Sequence, residues 1–208
     1  MPRRADVDVQ RAIVERAAGM LARREPLTLR ALVEGTGRST MAVYTHFGGM
    51  PGLRSAVRQE GFTLLAARLA RVPKARDPVR HVAALGAAYL AHALAHPDLY
   101  RAMFDAEADL LDAEAADASF AVLVGAVTRA REAGRVRAAT NPQVLATQIW
   151  AGGHGLAMLT LSGVLPLEAV GALGPDMVQT LVLGAGDHVE PCRRSVRAGW
   201  AVGWELPP

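Results

Sequence analysis

Residues 28 to 47 contain the most informative spacing of residue types in this chain. Thr28 is a plausible N-cap for one short helix, and Ser39 is a plausible N-cap for a second. Between them, Gly35 and Gly37 allow the left-handed backbone that a tight turn needs. A short helix, a tight turn and a second helix form the layout by which a helix-turn-helix motif holds one helix against DNA.

Three predicted helices position this motif. The first spans about residues 9 to 23, because apolar residues recur there at helical spacing. The second and third helices each have an apolar face that can turn inward. The residues on those faces are Leu29, Leu32, Val33, Val43 and Phe47. We therefore expect a small domain with one shared core over residues 1 to 50.

Charge is distributed unevenly along the chain, whose net charge is +3. Residues 1 to 60 hold ten arginines against six acidic residues, whereas residues 61 to 208 hold thirteen basic residues against fourteen acidic ones. The positive excess therefore lies in the segment with the helix-turn-helix pattern, as a phosphate-facing domain requires.

The rest of the chain predicts further helices, since it is rich in alanine and leucine. Residues 142 to 167 include no Asp, Glu, Lys or Arg and are long enough to span a bilayer. Their glutamines, histidine and glycines favour a helix buried in a protein interface, and we expect no membrane association. A last helix is predicted over residues 175 to 184. Residues 189 to 208, rich in Gly, Pro and Arg, are expected to form a loosely ordered tail.

The motif resembles the TetR family of bacterial transcriptional repressors. The matching residues are Leu29, Leu32, Gly35, Gly37, Ser39, Val43, Tyr44, His46, Phe47 and Leu53. In the late apolar helix, Trp150, His154 and Gly155 are similar to the Trp-His-Gly type of TetR C-terminal domain. The resemblance implies an all-α fold, with an N-terminal three-helix helix-turn-helix domain followed by a larger helical ligand-binding and dimerisation domain over residues 51 to 188.

The resemblance also implies roles for individual residues. Residues 39 to 45 would form the recognition helix, with Thr40 and Met41 approaching base edges. Tyr44 and His46 would contact phosphates, and the amide at Thr28 would bind a phosphate at a helix N-terminus. The implied DNA-contacting residues are Thr28, Arg38, Ser39, Thr40, Met41, Tyr44, Thr45 and His46.

Two positions depart from the family pattern. Arg38 stands where the family usually has an apolar residue; it could read a guanine or grip a phosphate, and we favour the phosphate. Met50 stands where the family tends to carry a backbone-gripping lysine, which predicts weaker and less salt-dependent binding. Compensating cations are available at Arg3, Arg4 and Arg54.

The C-terminal core would hold an unknown small-molecule effector that is largely apolar. We chose candidate lining residues by the helix face on which each is expected to lie. They are Tyr89, Tyr100, Met103, Phe104, Phe120, Leu123, Trp150 and His154. For Trp150 and His154 the alternative is a packed aromatic side chain with a hydrogen-bonded histidine.

The implied function is a ligand-responsive transcriptional regulator, a repressor that a small molecule releases from a palindromic double-stranded DNA operator. One helix-turn-helix of this size makes too few contacts for specific binding, so we expect a homodimer. Its interface would be residues 142 to 162 and 175 to 184, where glycines let helices approach closely. The alternative is a helical small-molecule-binding protein or enzyme whose helix-turn-helix no longer binds DNA.

No catalytic site, metal site or cofactor is predicted. His92 and His96 have the spacing of metal ligands, but the sequence supplies no clear third ligand near them. The glycines of the turn lack the lysine of a phosphate-binding loop. Cys192 is the single cysteine, which fits a reducing compartment, and we expect a cytoplasmic protein.

Overall fold

The computed structural model describes residues 4–23, 25–34, 39–104 and 110–206. These residues form ten α-helices and no β-strand, which confirms the predicted all-α class. The helices are α1 (Arg4–Ala22), α2 (Leu29–Val33), α3 (Met41–Phe47), α4 (Met50–Ala70), α5 (Pro78–Ala95), α6 (Pro97–Met103), α7 (Glu114–Glu132), α8 (Pro142–Leu161), α9 (Leu167–Gly184) and α10 (Val189–Trp204). The chain divides into two compact units, which are residues 1–64 with 96–115 and residues 65–95 with 116–208.

The first unit has a core that extends beyond the three predicted helices. Helices α1, α2 and α3 contribute to one apolar cluster, and so do α4 and α6. Its buried members include Val9, Ile13, Ala17, Met20, Leu32, Val43, Leu53, Val57 and Ala102. This unit therefore does not end at residue 50, because α4 starts at Met50 and continues unbroken to Ala70.

Helix α5 lies at the centre of the second unit and packs against α8, α9 and α10. Its start is well defined, since the Asp77 carboxylate accepts hydrogen bonds from the backbone N–H groups of Val79 and Arg80, at 3.0 and 3.3 Å. Pro78 occupies the first turn, where a missing N–H costs nothing. Helix α8 starts in the same way, with Asn141 capping and a proline at the next position.

The expected loose tail is instead helix α10, so that prediction was wrong. Gly199 and Gly203 lie four residues apart on its inner face. A Cβ atom on either glycine would collide with a backbone carbonyl oxygen of α5, that of Arg80 or that of Ala84. The glycines that suggested disorder therefore allow the two helices to pack backbone against backbone.

Leu206, which follows α10, is also held in place. The buried Arg68 side chain donates from Nε to the carbonyl oxygen of Ala88 at 3.0 Å, and from Nη2 to that of Leu206 at 2.8 Å.

Helix α9 also starts earlier than predicted, at Leu167 rather than at Pro175. The proline removes one backbone hydrogen bond to the carbonyl of Gly171. That residue is exposed, so solvent can reach its carbonyl. Val170 and Val178 are fully buried on either side of the proline, and their packing continues the helix across it.

A network of charged and polar side chains ties three loops of the second unit together. Arg135 donates to both carboxylate oxygens of Asp187, at 2.9 and 2.8 Å, and to Asp77 at 2.7 Å. Ser195 on α10 donates to the other oxygen of Asp77. The Asp187 side chain is completely buried, so loss of its guanidinium partner would leave an uncompensated charge.

Among the described residues, no helix is both long enough and apolar enough to cross a membrane, and this includes α8. Nor does that part of the chain bring together three or more His, Cys, Asp or Glu side chains that could hold a metal ion. His92 belongs to the second unit and His96 to the first.

The glycine contact between α5 and α10 predicts an unusual response to alanine. Gly199→Ala should lower the free energy of unfolding by about 1–3 kcal/mol, because the added methyl group meets backbone rather than a mobile side chain. The matched control is Gly171→Ala in α9, where a Cβ meets nothing within 4 Å. That variant should gain roughly 0.5–1 kcal/mol from the alanine's helix propensity. Urea unfolding measures both, and equal effects would contradict the contact.

Candidate nucleic-acid interface and candidate effector site

Helix α3 exposes one polar and aromatic face. Met41 is 65% exposed and Tyr44 is 53% exposed, and Ser39, Thr40 and Thr45 are exposed beside them. Residues three and four apart lie on the same side of a helix, which places Tyr44 and Thr45 beside Met41. Large exposed hydrophobic and aromatic side chains on so short a helix are available to an outside partner.

The opposite face of α3 anchors the helix to the first unit. Val43 is completely buried in the apolar cluster, and Phe47 packs against it. The helix ends at Gly48, which has a φ of 69° and donates its N–H to the carbonyl oxygen of Tyr44. A Cβ atom at Gly52 would collide with the Phe47 carbonyl oxygen, so α4 starts directly against the end of α3. The exposed face is therefore presented by a rigid support.

Some of the predicted contact residues already make hydrogen bonds inside the unit. The Thr28 hydroxyl oxygen accepts from the N–H of Ala31 at 3.2 Å and caps α2, as predicted. The Thr45 hydroxyl donates to the carbonyl oxygen of Met41 at 2.9 Å. His46 is half-buried, with Nδ1 3.5 Å from Nε2 of Gln10 on α1.

The N-cap position of α3 is Thr40 rather than Ser39, and its side chain makes no capping hydrogen bond. The Ser39 hydroxyl was therefore wrongly predicted to cap the helix; its carbonyl oxygen instead accepts from the N–H of Ala42 at 3.0 Å.

Positive charge near this surface is predicted to come from Arg3, Arg4, Arg38 and Arg54. Arg38 and Arg3 lie outside the described residues, as does the side chain of Arg4. Arg54 on α4 is half-buried. Met50 packs against the apolar cluster of the first unit, so the residue that replaces the expected lysine contributes to the core.

Two residues on α1 support the motif without any signal in the sequence. Arg16 donates from Nε and Nη2 to the carbonyl oxygen of Ala31, at 3.2 and 2.9 Å, and so joins α1 to α2. Gln10 lies beside His46 across 36 residues of sequence. Any residue type can supply a backbone carbonyl oxygen, so the sequence does not mark Ala31 as an acceptor. Spacing along the sequence also does not show which helices contact each other.

Four of the predicted effector residues come together in the second unit. Trp150 donates from Nε1 to the Tyr89 hydroxyl at 3.2 Å, and that hydroxyl lies 3.5 Å from Nδ1 of His154. The Phe120 ring, on α7, lies 5.8 Å from the Trp150 ring between centroids. Tyr89 is mostly buried, whereas Trp150 is 39% exposed. The cluster thus joins α5, α7 and α8 and has one partly open side.

The chemistry of these groups determines which atom donates and which accepts in each hydrogen bond. An indole N–H can only donate, so the Tyr89 oxygen accepts from Trp150 and its O–H points toward His154. Burial lowers the pKa of His154 below its ordinary 6.5, which keeps the ring neutral at pH 7. A neutral ring that accepts at Nδ1 carries its proton on Nε2, and this is the tautomer that the contact with Tyr89 favours.

Of the other four predicted effector residues, one belongs to the second unit and three belong to the first. Leu123 is half-buried on α7 of the second unit. Tyr100, Met103 and Phe104 belong to the first unit, where Tyr100 and Met103 are completely buried. The Phe104 ring lies edge-on to the Tyr100 ring at 5.3 Å. The eight predicted residues are therefore divided between the two units.

One family model matches this chain. Residues 82–181 match a family model described as the tetracyclin repressor-like C-terminal domain. That part of the chain is therefore a C-terminal domain of the TetR-family type. Regulators of this family bind DNA and small-molecule ligands and are dimeric, and they are generally not enzymes. A comparison with curated proteins finds no match.

Solved structures with the same fold are found as well. A protein with unknown function from Rhodococcus sp. RHA1 is 28% identical, with a TM-score of 0.70 over 86% of this chain and 96% of that one. The TetR-family regulator PfmR from Thermus thermophilus is 16% identical, with a TM-score of 0.70 over 85% and 99%. A gamma-butyrolactone receptor, described as ArpA-like, is 15% identical, with a TM-score of 0.69 over 97% and 99%. The last two likenesses concern the fold alone.

The direction of the hydrogen bonds at Tyr89 predicts one tautomer of His154. At pH 7 its imidazole should carry the proton on Nε2, because Nδ1 accepts from the Tyr89 hydroxyl. Nitrogen-15 chemical shifts of the ring measure this directly. Tyr89→Phe should weaken the preference, since it removes only the hydroxyl. A proton on Nδ1 in the unaltered protein would contradict the arrangement.

Proposed function

We propose that this TetR-family protein is a homodimeric transcriptional repressor that a small, largely apolar molecule releases from a palindromic operator. The observation that carries the proposal is the exposed polar and aromatic face of α3 on a rigid apolar support. A short helix held in this way can enter a major groove without being reorganised.

In the proposed complex, different parts of α3 serve different purposes. Thr40 and Met41 approach base edges, where a hydroxyl and an apolar side chain can discriminate bases. Tyr44 and His46 contact phosphates, which position the helix but carry no sequence information. Thr28, Arg38, Ser39 and Thr45 complete the proposed interface. Because Tyr44 is the more exposed of the two aromatic contacts, we expect it to contribute more than His46.

The proposed dimer interface is formed by α8 and α9. Large apolar side chains are exposed along both helices, which is unusual for a surface that faces only water. They include Val144, Trp150, Leu159, Leu167 and Leu173. A Cβ added at Gly152 would collide with the Met177 side chain, and one added at Gly153 would lie 3.7 Å from the Tyr89 ring, whereas a Cβ at Gly155 would meet nothing within 4 Å. Gly155 is therefore the glycine best suited to contact a second copy.

The proposed effector site is the cluster of Tyr89, Trp150, His154 and Phe120, with Leu123 of the same unit as a further candidate. Aromatic rings supply apolar area, and the hydroxyl, indole and imidazole groups supply a few oriented polar atoms. The structural likeness to a gamma-butyrolactone receptor supports a compact effector with a carbonyl group on an apolar body. Such a molecule releases DNA only if it binds the released conformation more tightly.

Binding to DNA tests the repressor proposal. The purified protein should shift DNA from its own upstream region, and the affinity should fall steeply as salt rises from low to moderate concentration. Tyr44→Ala should weaken binding about tenfold, because it removes one phosphate hydrogen bond from each half-site. Thr63→Ala on α4 is the matched control, since Thr63 is exposed in the same unit and lies outside α3.

Two results would count against this proposal. If Tyr44→Ala and Thr63→Ala bind equally well, α3 is not the reading helix. If neither the upstream region nor selection from random DNA yields salt-sensitive binding, the alternative of a ligand-binding protein with a silent helix-turn-helix gains support. Compounds that release DNA from the unaltered protein should lose that effect on Trp150→Ala.

A charged residue in the proposed interface should disrupt the dimer. Leu159 is 44% exposed on α8, and Leu159→Glu would bury two carboxylates near a symmetric contact, so we expect monomers at micromolar concentration. Sedimentation velocity measures the change. Leu111→Glu is the control, because Leu111 is 63% exposed but lies in the first unit. A Leu159→Glu variant that remains dimeric would exclude this interface.

A further inference from the structure

A groove of about 440 Å³ lies where the N-terminal end of α5 meets the C-terminal end of α10. The residues that line it, besides Asp77, are Pro73, Ala75, Arg76, Arg80, Ala84 and Val202. Its volume falls within the range of sites that hold small molecules. Tyr89, Trp150 and His154 are not among these residues, so the groove is separate from the proposed effector cluster.

Two arginines and one aspartate are the charged residues that line the groove. Arg76 and Arg80 are both exposed, and within the described residues neither guanidinium pairs with a carboxylate. The Asp77 carboxylate lies close by but is already occupied. It accepts from Arg135 and from the backbone at one oxygen, and from Ser195 at the other. The two arginines are therefore available to an outside anion.

The rest of the groove is apolar and fixed in position. Pro73, Ala75, Ala84 and Val202 supply hydrocarbon surface. The backbone of Arg80 and Ala84 is pressed against Gly199 and Gly203 of α10. A ligand would not have to order this surface when it binds, which removes one of the main costs of association.

From this juxtaposition we propose that the groove binds a small amphipathic anion, with a carboxylate or phosphate held by Arg76 and Arg80 and a short hydrocarbon chain against Ala84 and Val202. Guanidinium groups bind such anions through charge-assisted hydrogen bonds, often two at once. The proposal does not depend on DNA binding or on the identity of the effector. It gives this protein a second ligand site, formed by α5 and α10.

Calorimetric titration of the full-length protein with octanoate and with octyl phosphate tests the proposal. We expect saturable binding at one site per chain. The double variant Arg76→Gln/Arg80→Gln should weaken it at least about tenfold, because both charge-assisted contacts are lost. Val202→Phe should weaken it as well, since the larger side chain fills the groove and leaves both charges in place. Circular dichroism and thermal unfolding establish that the variants remain folded.

Several controls distinguish binding in the groove from binding elsewhere on the protein. Arg193→Gln removes an exposed positive charge of α10 that pairs with Glu190, and it should leave binding unchanged. Tyr89→Phe should also leave it unchanged, because Tyr89 belongs to the effector cluster. Octanol should bind much more weakly than octanoate, and inorganic phosphate much more weakly than octyl phosphate. Vesicles with anionic lipid should not compete, since the groove accepts a free amphiphile.

The opposite results would overturn the proposal. Equal binding of inorganic phosphate and octyl phosphate would show that the hydrocarbon chain contributes nothing. Arg76 and Arg80 would then bind phosphate only as exposed surface charges. Binding that survives the double arginine variant but is lost in Tyr89→Phe would place the ligand in the effector cluster. The absence of saturable binding at millimolar ligand would leave Arg76 and Arg80 as ordinary surface arginines.

Discussion

The backbone contact between α5 and α10 is the constraint on which the second unit depends. Helix α5 is buried along most of its length, and α10 covers it without side chains between the two backbones at Gly199 and Gly203. Close approach of this kind brings many atoms into van der Waals contact, and any added methyl group must displace backbone. Because α5 also contacts α8 and α9, its position determines where Tyr89 meets the α8 residues of the effector cluster.

Electrostatic interactions reinforce this packing where they are buried and contribute little where they are exposed. Arg135 joins Asp77 and Asp187 in a network whose members are largely withdrawn from solvent. Although burial alone would raise the pKa of Asp77, hydrogen bonds from Ser195 and the backbone keep it below its usual value, so the carboxylate stays ionised. By contrast, the Arg193–Glu190 pair is exposed and is worth roughly 0–1 kcal/mol. The buried network therefore fixes the arrangement of three loops, whereas the exposed Arg193–Glu190 pair fixes no part of the fold.

The first unit holds a very short helix in a fixed position. Helix α3 spans only Met41–Phe47 and would not be stable alone in water. Val43 and Phe47 attach one face to the apolar cluster, while Gly48 and Gly52 allow α4 to start directly against its end. The exposed face can then carry Met41 and Tyr44 without any loss of packing. This separation of support and contact surface is what a DNA-reading helix requires.

The sequence by itself determined the all-α class and the limits of α8, because helical periodicity, capping residues and prolines act within a few residues of one another. It also predicted the aromatic and polar residues that meet at Tyr89 and Trp150. It was wrong about α10, since glycine at four-residue spacing can mark disorder or close packing, and only a partner helix distinguishes the two. Tertiary structure alone decided that Arg16 supports α2, that Arg135 joins distant carboxylates, and that the predicted effector residues are divided between two units. These are contacts between residues far apart in the chain, and their geometry depends on how whole helices pack.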